Sequence, residues 1–157
     1  MNTEKVFLNE GEKAVDLLWS VELPATCPPA GASKWSPAWS MDLWNTGCRE
    51  VVVLPDRDRA GERHAERVAE AIHTVQVDGR LSVKIVQLQG LDYGQDAFDW
   101  LRGGQTPEEL IRMASAGTWW SPEATERVRL ERSRRQTRER VRRYRARQRE
   151  VRRRTAA

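Results

Sequence analysis

The sequence predicts an α/β domain with a mostly parallel sheet of about four strands flanked by helices, followed by a C-terminal basic helix. Three observations carry this. Short apolar runs at residues 6–8, 51–54 and 83–88 are separated by helical patterns, and strands that alternate with helices pack those helices on the faces of a parallel sheet. The run Val51-Val52-Val53-Leu54 is uninterrupted, as in strands covered on both faces. Charge divides sharply near residue 121. Residues 123–157 hold 15 arginines against five acids, while the preceding residues hold 12 basic and 18 acidic side chains, so a net +4 conceals a body near −6 and a tail near +10.

In chain order, residues 6–8 form a strand closed by Asn9-Glu10-Gly11. Residues 12–21 follow as a helix, with Ala14, Leu17, Leu18 and Val21 on one face and Pro24 as its stop. A short strand is expected at 25–27 and a loop at 28–33. One or two helical turns then carry Trp35, Trp39 and Trp44, whose indoles are expected to fill core. After the 51–54 strand, residues 59–75 make a long helix with Ala65, Val68, Ala69 and Ile72 inward and Glu62, Arg63, Glu66, Arg67 and Glu70 mostly outward. Asp78-Gly79 marks a turn. A strand at 83–88, a short helix at 96–101 and a helix at 106–116, opened by Thr-Pro-Glu-Glu, complete a domain over residues 1–120. Residues 121–157 are too poor in apolar side chains for a core and read as an arginine-rich helical tail.

The length suits one core. Cys27 and Cys48 lack the paired spacing of a zinc site, and no apolar run has the form of a signal peptide or membrane span, so a reducing cytoplasm is the expected setting and a membrane is not an expected partner. An acidic body repels a polyanion unless cations intervene, which points to metal.

In a parallel sheet the C-terminal strand ends share one rim, where ligands bind. Glu10 follows the first strand; Asp56 and Asp58 follow the 51–54 strand, and alternation along an extended chain turns residues two apart to the same side. Three such carboxylates suit Mg²⁺, or Mn²⁺ in its place, with remaining positions left to water and phosphate. The plainer reading is that Asp58 caps the helix beginning at residue 59 and Asp56 accepts turn hydrogen bonds. A cap explains one acid well and three poorly. The acid-rich segment Asp92-Tyr93-Gly94-Gln95-Asp96-Ala97-Phe98-Asp99 follows the next strand and is placed to reach the same rim.

A strand ending in Glu10-Gly11 and another ending in Asp56-Arg57-Asp58-Arg59-Ala60-Gly61 resemble the TOPRIM signature. Together with Gly31-Ala32-Ser33-Lys34-Trp35 and Gln95-Asp96-Ala97-Phe98-Asp99-Trp100-Leu101, the wording is similar to primase-like TOPRIM domains of phages, plasmids and integrated elements, over residues 5–120. The resemblance implies Glu10 as general acid/base in nucleotidyl transfer, Asp56 and Asp58 as Mg²⁺ ligands, and Asp96 and Asp99 as the later acids of the primase subgroup. It departs at Ala14, where replicative primases carry an aspartate. With Met1 five residues before the first strand, the other primase modules are expected on separate chains, a helicase or polymerase among them. Topoisomerase activity is not expected, since only Tyr93 and Tyr144 are present.

Lys34 is placed to reach a phosphate, or is a plain surface lysine. His64 has no partner at triad spacing and reads as packing or surface. Trp119 and Trp120 either stack on bases or seal the core, with the core favoured. In the tail, Glu131, Glu139 and Glu150 are spaced to pair with Arg135, Arg143 and Arg154. Arg134, Arg135, Arg138, Arg142, Arg143 and Arg145 supply a phosphate-binding surface suited to nucleic acid, single-stranded DNA first. A TOPRIM nuclease and a non-catalytic DNA- or RNA-binding module stand as alternatives to a primase.

Overall fold

The computed structural model describes residues 4–29, 35–75 and 81–155. The 30–33 part of the expected loop, Lys34 and the Asp78-Gly79 turn lie outside them. The chain divides into two units, Met1–Trp120 and Ser121–Ala157.

The first unit contains β1 (Lys5–Leu8), α1 (Glu12–Ser20), β2 (Ala25–Thr26), α2 (Pro37–Asn45), β3 (Glu50–Val53), α3 (Arg59–Thr74), β4 (Ser82–Ile85), α4 (Ala97–Arg102) and α5 (Pro107–Ala116). All three strand pairings are parallel, in the order β2-β1-β3-β4. Leu8 stands beside Val53 and Val53 beside Ile85, so the strands end level with one another at one rim. From β1 the chain moves outward to β2, then returns to place β3 on the other side of β1. The order therefore reverses between β1 and β3, the crevice where open α/β sheets bind ligands.

Strand alternation sorts the core into two layers. Phe7 and Val52 face Ala14, Leu18, Trp100, Leu110 and Ala114, on the side covered by α1, α4 and α5. Val6, Leu8, Val51 and Val53 face Ala65, Val68, Ala69 and Ile72 of α3, with Trp35, Leu43 and Trp44 packed alongside. Each large apolar side chain removed from water contributes about 1.5–3 kcal/mol, and α3 owes its position to that stripe. The expected start signal opens α5, where the Thr106 hydroxyl accepts the Glu109 N–H at 3.2 Å ahead of Pro107. Ser36 caps α2 ahead of Pro37 in the same way, a signal that sequence reading did not single out.

Two expectations are corrected. The strand expected at 83–88 ends at Ile85: the Val86 N–H still donates to the Val53 carbonyl at 3.0 Å, but β3 ends there and Pro55 follows, leaving residues 87 and 88 no ladder to join; Val86 and Leu88 are still buried. Trp119 is 52% exposed and does not fill core. It lies over the Lys84 ammonium at 4.2 Å, while the Trp120 N–H donates to the Val83 carbonyl at 2.8 Å. The two residues thus cover the outer edge of β4, which would otherwise expose unpaired backbone.

The second unit contains α6 (Pro122–Thr155), 34 residues long and hence about 51 Å at 1.5 Å per residue. Leu130, Val128, Val141 and Tyr144 are exposed on it. No described helix is long and apolar enough to cross a membrane.

Candidate functional site

Glu10 leaves the end of β1, and the Leu8 carbonyl accepts the Leu54 N–H at 2.8 Å, which draws the end of β3 against it. Asp56 and Asp58 do not simply continue the strand. The Asp58 N–H donates to the Asp56 carbonyl at 2.8 Å, closing a tight turn around Arg57. That turn is held to the segment before α4 by two backbone bonds, Arg57 N–H to the Gln95 carbonyl at 2.8 Å and Gly94 N–H to the Arg57 carbonyl at 3.1 Å. The acids after β3 and those before α4 therefore belong to one stitched pair of loops.

Gly61 shows how tightly Glu10 and Asp56 meet. A Cβ on Gly61 would lie 2.5 Å from the Asp56 carbonyl oxygen, 2.8 Å from its nitrogen and 2.9 Å from Glu10 Oε1. The last residue of the Asp-x-Asp-x-x-Gly pattern is thus the point where the first turn of α3 rests on both acids, and only glycine fits.

The carboxylates sense one another. Asp56 is pushed up to about 7, first by burial, then by the charges of Glu10, Asp96, Asp58 and Asp99. Glu10 is raised by burial and by Asp58, with the Asp56 backbone N–H and the Arg67 guanidinium opposing and Asp96 adding to the rise. Glu10 Oε1 is buried with no hydrogen-bond partner.

Three of the five predicted acids also serve as caps. Asp58 Oδ1 accepts the Gly61 N–H at 2.7 Å. Asp96 Oδ1 accepts the Asp99 N–H at 3.0 Å while Asp99 Oδ2 accepts the Asp96 N–H at 3.2 Å, a capping box on α4. The plainer sequence reading holds for Asp58 as a cap, the capping box of Asp96 and Asp99 was not expected, and each of these carboxylates keeps a second oxygen. Among the described residues, no three His, Cys, Asp or Glu side chains stand close enough, as placed, to hold a metal ion. Crowded carboxylates repel one another in the absence of a cation. The donor set nonetheless suits a hard divalent cation: every donor is oxygen, and one buried oxygen lacks a partner.

His64 is buried and both ring nitrogens lack partners; burial, then Arg67, pushes its pKa down to about 4. It packs as a neutral ring. The exposed arginines Arg134, Arg135, Arg138, Arg142, Arg143 and Arg145 lie on α6. Arg135 pairs with Glu139 at 3.5 Å, one turn beyond the expected Glu131.

Sequence reasoning missed two residues that shape the site. Arg67 was assigned only an outward position, yet its charge acts on Glu10. Gln95 fixes the second loop, its side-chain oxygen accepting the Asp92 N–H at 2.7 Å and its carbonyl the Arg57 N–H. Arg67 has no local pattern, since it acts on Glu10 from α3; Gln95 lies in a legible motif, but its bond to Arg57 crosses to a loop far away in sequence.

No family model matches the chain, and no curated protein matches it. Solved structures do match. A DNA primase domain from Pseudomonas aeruginosa aligns with a TM-score of 0.67 at 19% identity, over 83% of this chain and 39% of that one. The Aquifex aeolicus primase, comprising zinc-binding and RNA polymerase domains, gives 0.60 at 20%, over 74% and 27%. The primase fragment of the bacteriophage T7 primase-helicase gives 0.52 at 20%, over 70% and 43%. The chain spans less than half the length of each of these. At such identities the likeness is one of architecture: the chain shares the fold of TOPRIM-type, Rossmann-like domains of primases.

Proposed function

We propose that the chain is a primase-like, Mg²⁺-dependent nucleotidyltransferase of the TOPRIM class, acting on single-stranded DNA within the replication assembly of a phage or other mobile element. The observation that carries the reading is the carboxylate crowd at the β1/β3 crevice, which leaves Asp56 near 7 and a Glu10 oxygen buried without a partner. Carboxylates brought together at that cost are accounted for by a cation shared among them.

Asp56 and the free oxygen of Asp58 would hold Mg²⁺ or Mn²⁺, with Glu10 alongside and Asp96 and Asp99 adding negative charge. When bound, the cation supplies charge neutralisation for phosphate oxygens in an in-line displacement. Glu10, raised by burial and by Asp58, is poised to take a proton from an attacking hydroxyl and to return it. The exposed arginines of α6 neutralise backbone phosphates without reading sequence. The partner in this reading is a helicase or polymerase module on another chain, in keeping with the primase-helicase from which one matching fragment comes.

The test is template-dependent primer synthesis by the full chain with single-stranded DNA, nucleotides and Mg²⁺, alone and with its neighbouring replication proteins. Primers should form and vanish in Glu10→Gln and Asp56→Asn. Absence of primers in every combination, with Mg²⁺ binding intact, would overturn the assignment. Strand cleavage that is lost in Asp56→Ala would replace it with a nuclease.

A further inference from the structure

Tyr93 and Arg57 occupy the two stitched loops beside the acids, and neither has a part in the chemistry above. Tyr93 is 81% exposed, the most exposed of the large hydrophobic side chains among the described residues. A bulky ring left in water at the tip of a floppy segment would mean little, but this segment is not floppy. Asp92 and Gln95 close it with two hydrogen bonds, Asp92 N–H to Gln95 Oε1 at 2.7 Å and Gln95 N–H to the Asp92 carbonyl at 3.2 Å. Gly94, at φ +84°, takes the left-handed conformation the turn needs, and its N–H is anchored on the Arg57 carbonyl. Arg57 is itself exposed and bonded back to Gln95. The backbone thus holds an aromatic ring and a guanidinium on adjoining loops, one residue from Asp56 and Asp58 and three from Asp96.

We infer that Tyr93 and Arg57 form a grip for one unpaired nucleotide of a single strand, Tyr93 stacking on the base and Arg57 meeting the adjacent phosphate. Rigid presentation lowers the entropy lost when a base docks, and stacking on an aromatic face is tolerant of base identity. Arg57, with Arg67 acting on Glu10, supplies positive charge that a strand needs to approach the crowded acids. The inference rests on the proposed nucleic-acid chemistry at that rim and names which part of the substrate is held beside it.

The experiment compares affinities of the full chain, in Mg²⁺, for labelled oligo-dT, oligo-rU and an abasic strand of equal length. Backbone charge is common to all three, so contacts of the arginine tail cancel in the ratios. The wild type should prefer base-bearing over abasic strands by roughly tenfold, the order expected for one stacked base. Tyr93→Phe should keep that preference and Tyr93→Ala should abolish it. Arg57→Gln should weaken all strands alike and lower the salt slope by about one. Equal dT and rU affinities mean the grip ignores both the sugar and the thymine methyl, and a difference between them that Tyr93→Ala removes means the ring senses one of the two; either supports the grip. A wild type indifferent to base removal, or a Tyr93→Ala variant that keeps the preference, overturns it. Base preference without primer synthesis would leave the grip standing and remove the primase assignment, and primer synthesis without base preference would do the reverse.

Discussion

Replacing Asp56 by Asn removes a charge that the folded chain accommodates poorly. Asp56 titrates near 7 when folded, against an ordinary value of 3.8. Between those values the folded state holds a proton that the unfolded chain has released, so stability falls as pH rises through this window, and the whole penalty stands above 7. The difference sets a ceiling of roughly 4 kcal/mol. Asp56 is only half-buried, and solvent screening reduces this to roughly 1–2 kcal/mol. At pH 8 in chelator the Asn variant should therefore be the more stable protein, melting about 5 °C higher, whereas near pH 4 the advantage should vanish. Mg²⁺ should reverse the order by binding only the folded wild type. Thermal melts from pH 4 to pH 8.5, with chelator and with Mg²⁺, read both effects. A variant no more stable than wild type at pH 8 without metal, or an equal response of both proteins to Mg²⁺, would refute the reasoning.

Gly61→Ala pushes a Cβ to 2.5 Å from the Asp56 carbonyl oxygen. It should cost about 1–3 kcal/mol in urea unfolding and weaken Mg²⁺ binding in a calorimetric titration. His64→Leu should flatten the acid limb of the stability profile. The wild-type ring stays neutral when folded down to about 4, so wild type loses up to about 3 kcal/mol relative to the variant as pH falls from 6.5 to 4, as urea unfolding at several pH values would record. Asp58→Asn keeps an N-cap and should hardly change stability, while Asp58→Ala should cost about 1 kcal/mol; both should weaken Mg²⁺ binding, which separates capping from ligation. Removing residues 121–157 should reduce single-strand affinity and flatten its dependence on salt, measured by anisotropy across a salt series.

The fold was legible because its signals are local. The run Val51-Val52-Val53 announces a doubly buried strand, the stripe Ala65, Val68, Ala69, Ile72 announces α3, and the Thr106-Pro107 start announces α5. Strand 83–88 was drawn too long because its end is set by β3, a partner far away in sequence. Trp119 was misplaced for a like reason: whether an indole faces core or covers a sheet edge depends on where the chain goes next. At the site, the positions of Glu10, Asp56 and Asp58 follow from strand ends, but the turn around Arg57 replaces the extended alternation that sequence suggested. Arg67 acts on Glu10 from α3 and nothing in its own neighbourhood marks it, while Gln95 stands in a legible motif whose bond to Arg57 the sequence does not show.

The capping role of three of the acids bears on how the proposed cation site is held together. Asp58, Asp96 and Asp99 are pinned by backbone N–H groups at the starts of α3 and α4, where the helix dipole also favours negative charge. Those contacts hold the loops through protein groups alone. Asp56 has no such support and is pushed up to about 7, and the buried Glu10 oxygen also lacks a partner. Capping thus fixes the frame and leaves the unsatisfied charge at the crevice where the strand order reverses. The cation we propose would meet loops already ordered there, so its binding energy would go into relieving repulsion between carboxylates and not into ordering backbone.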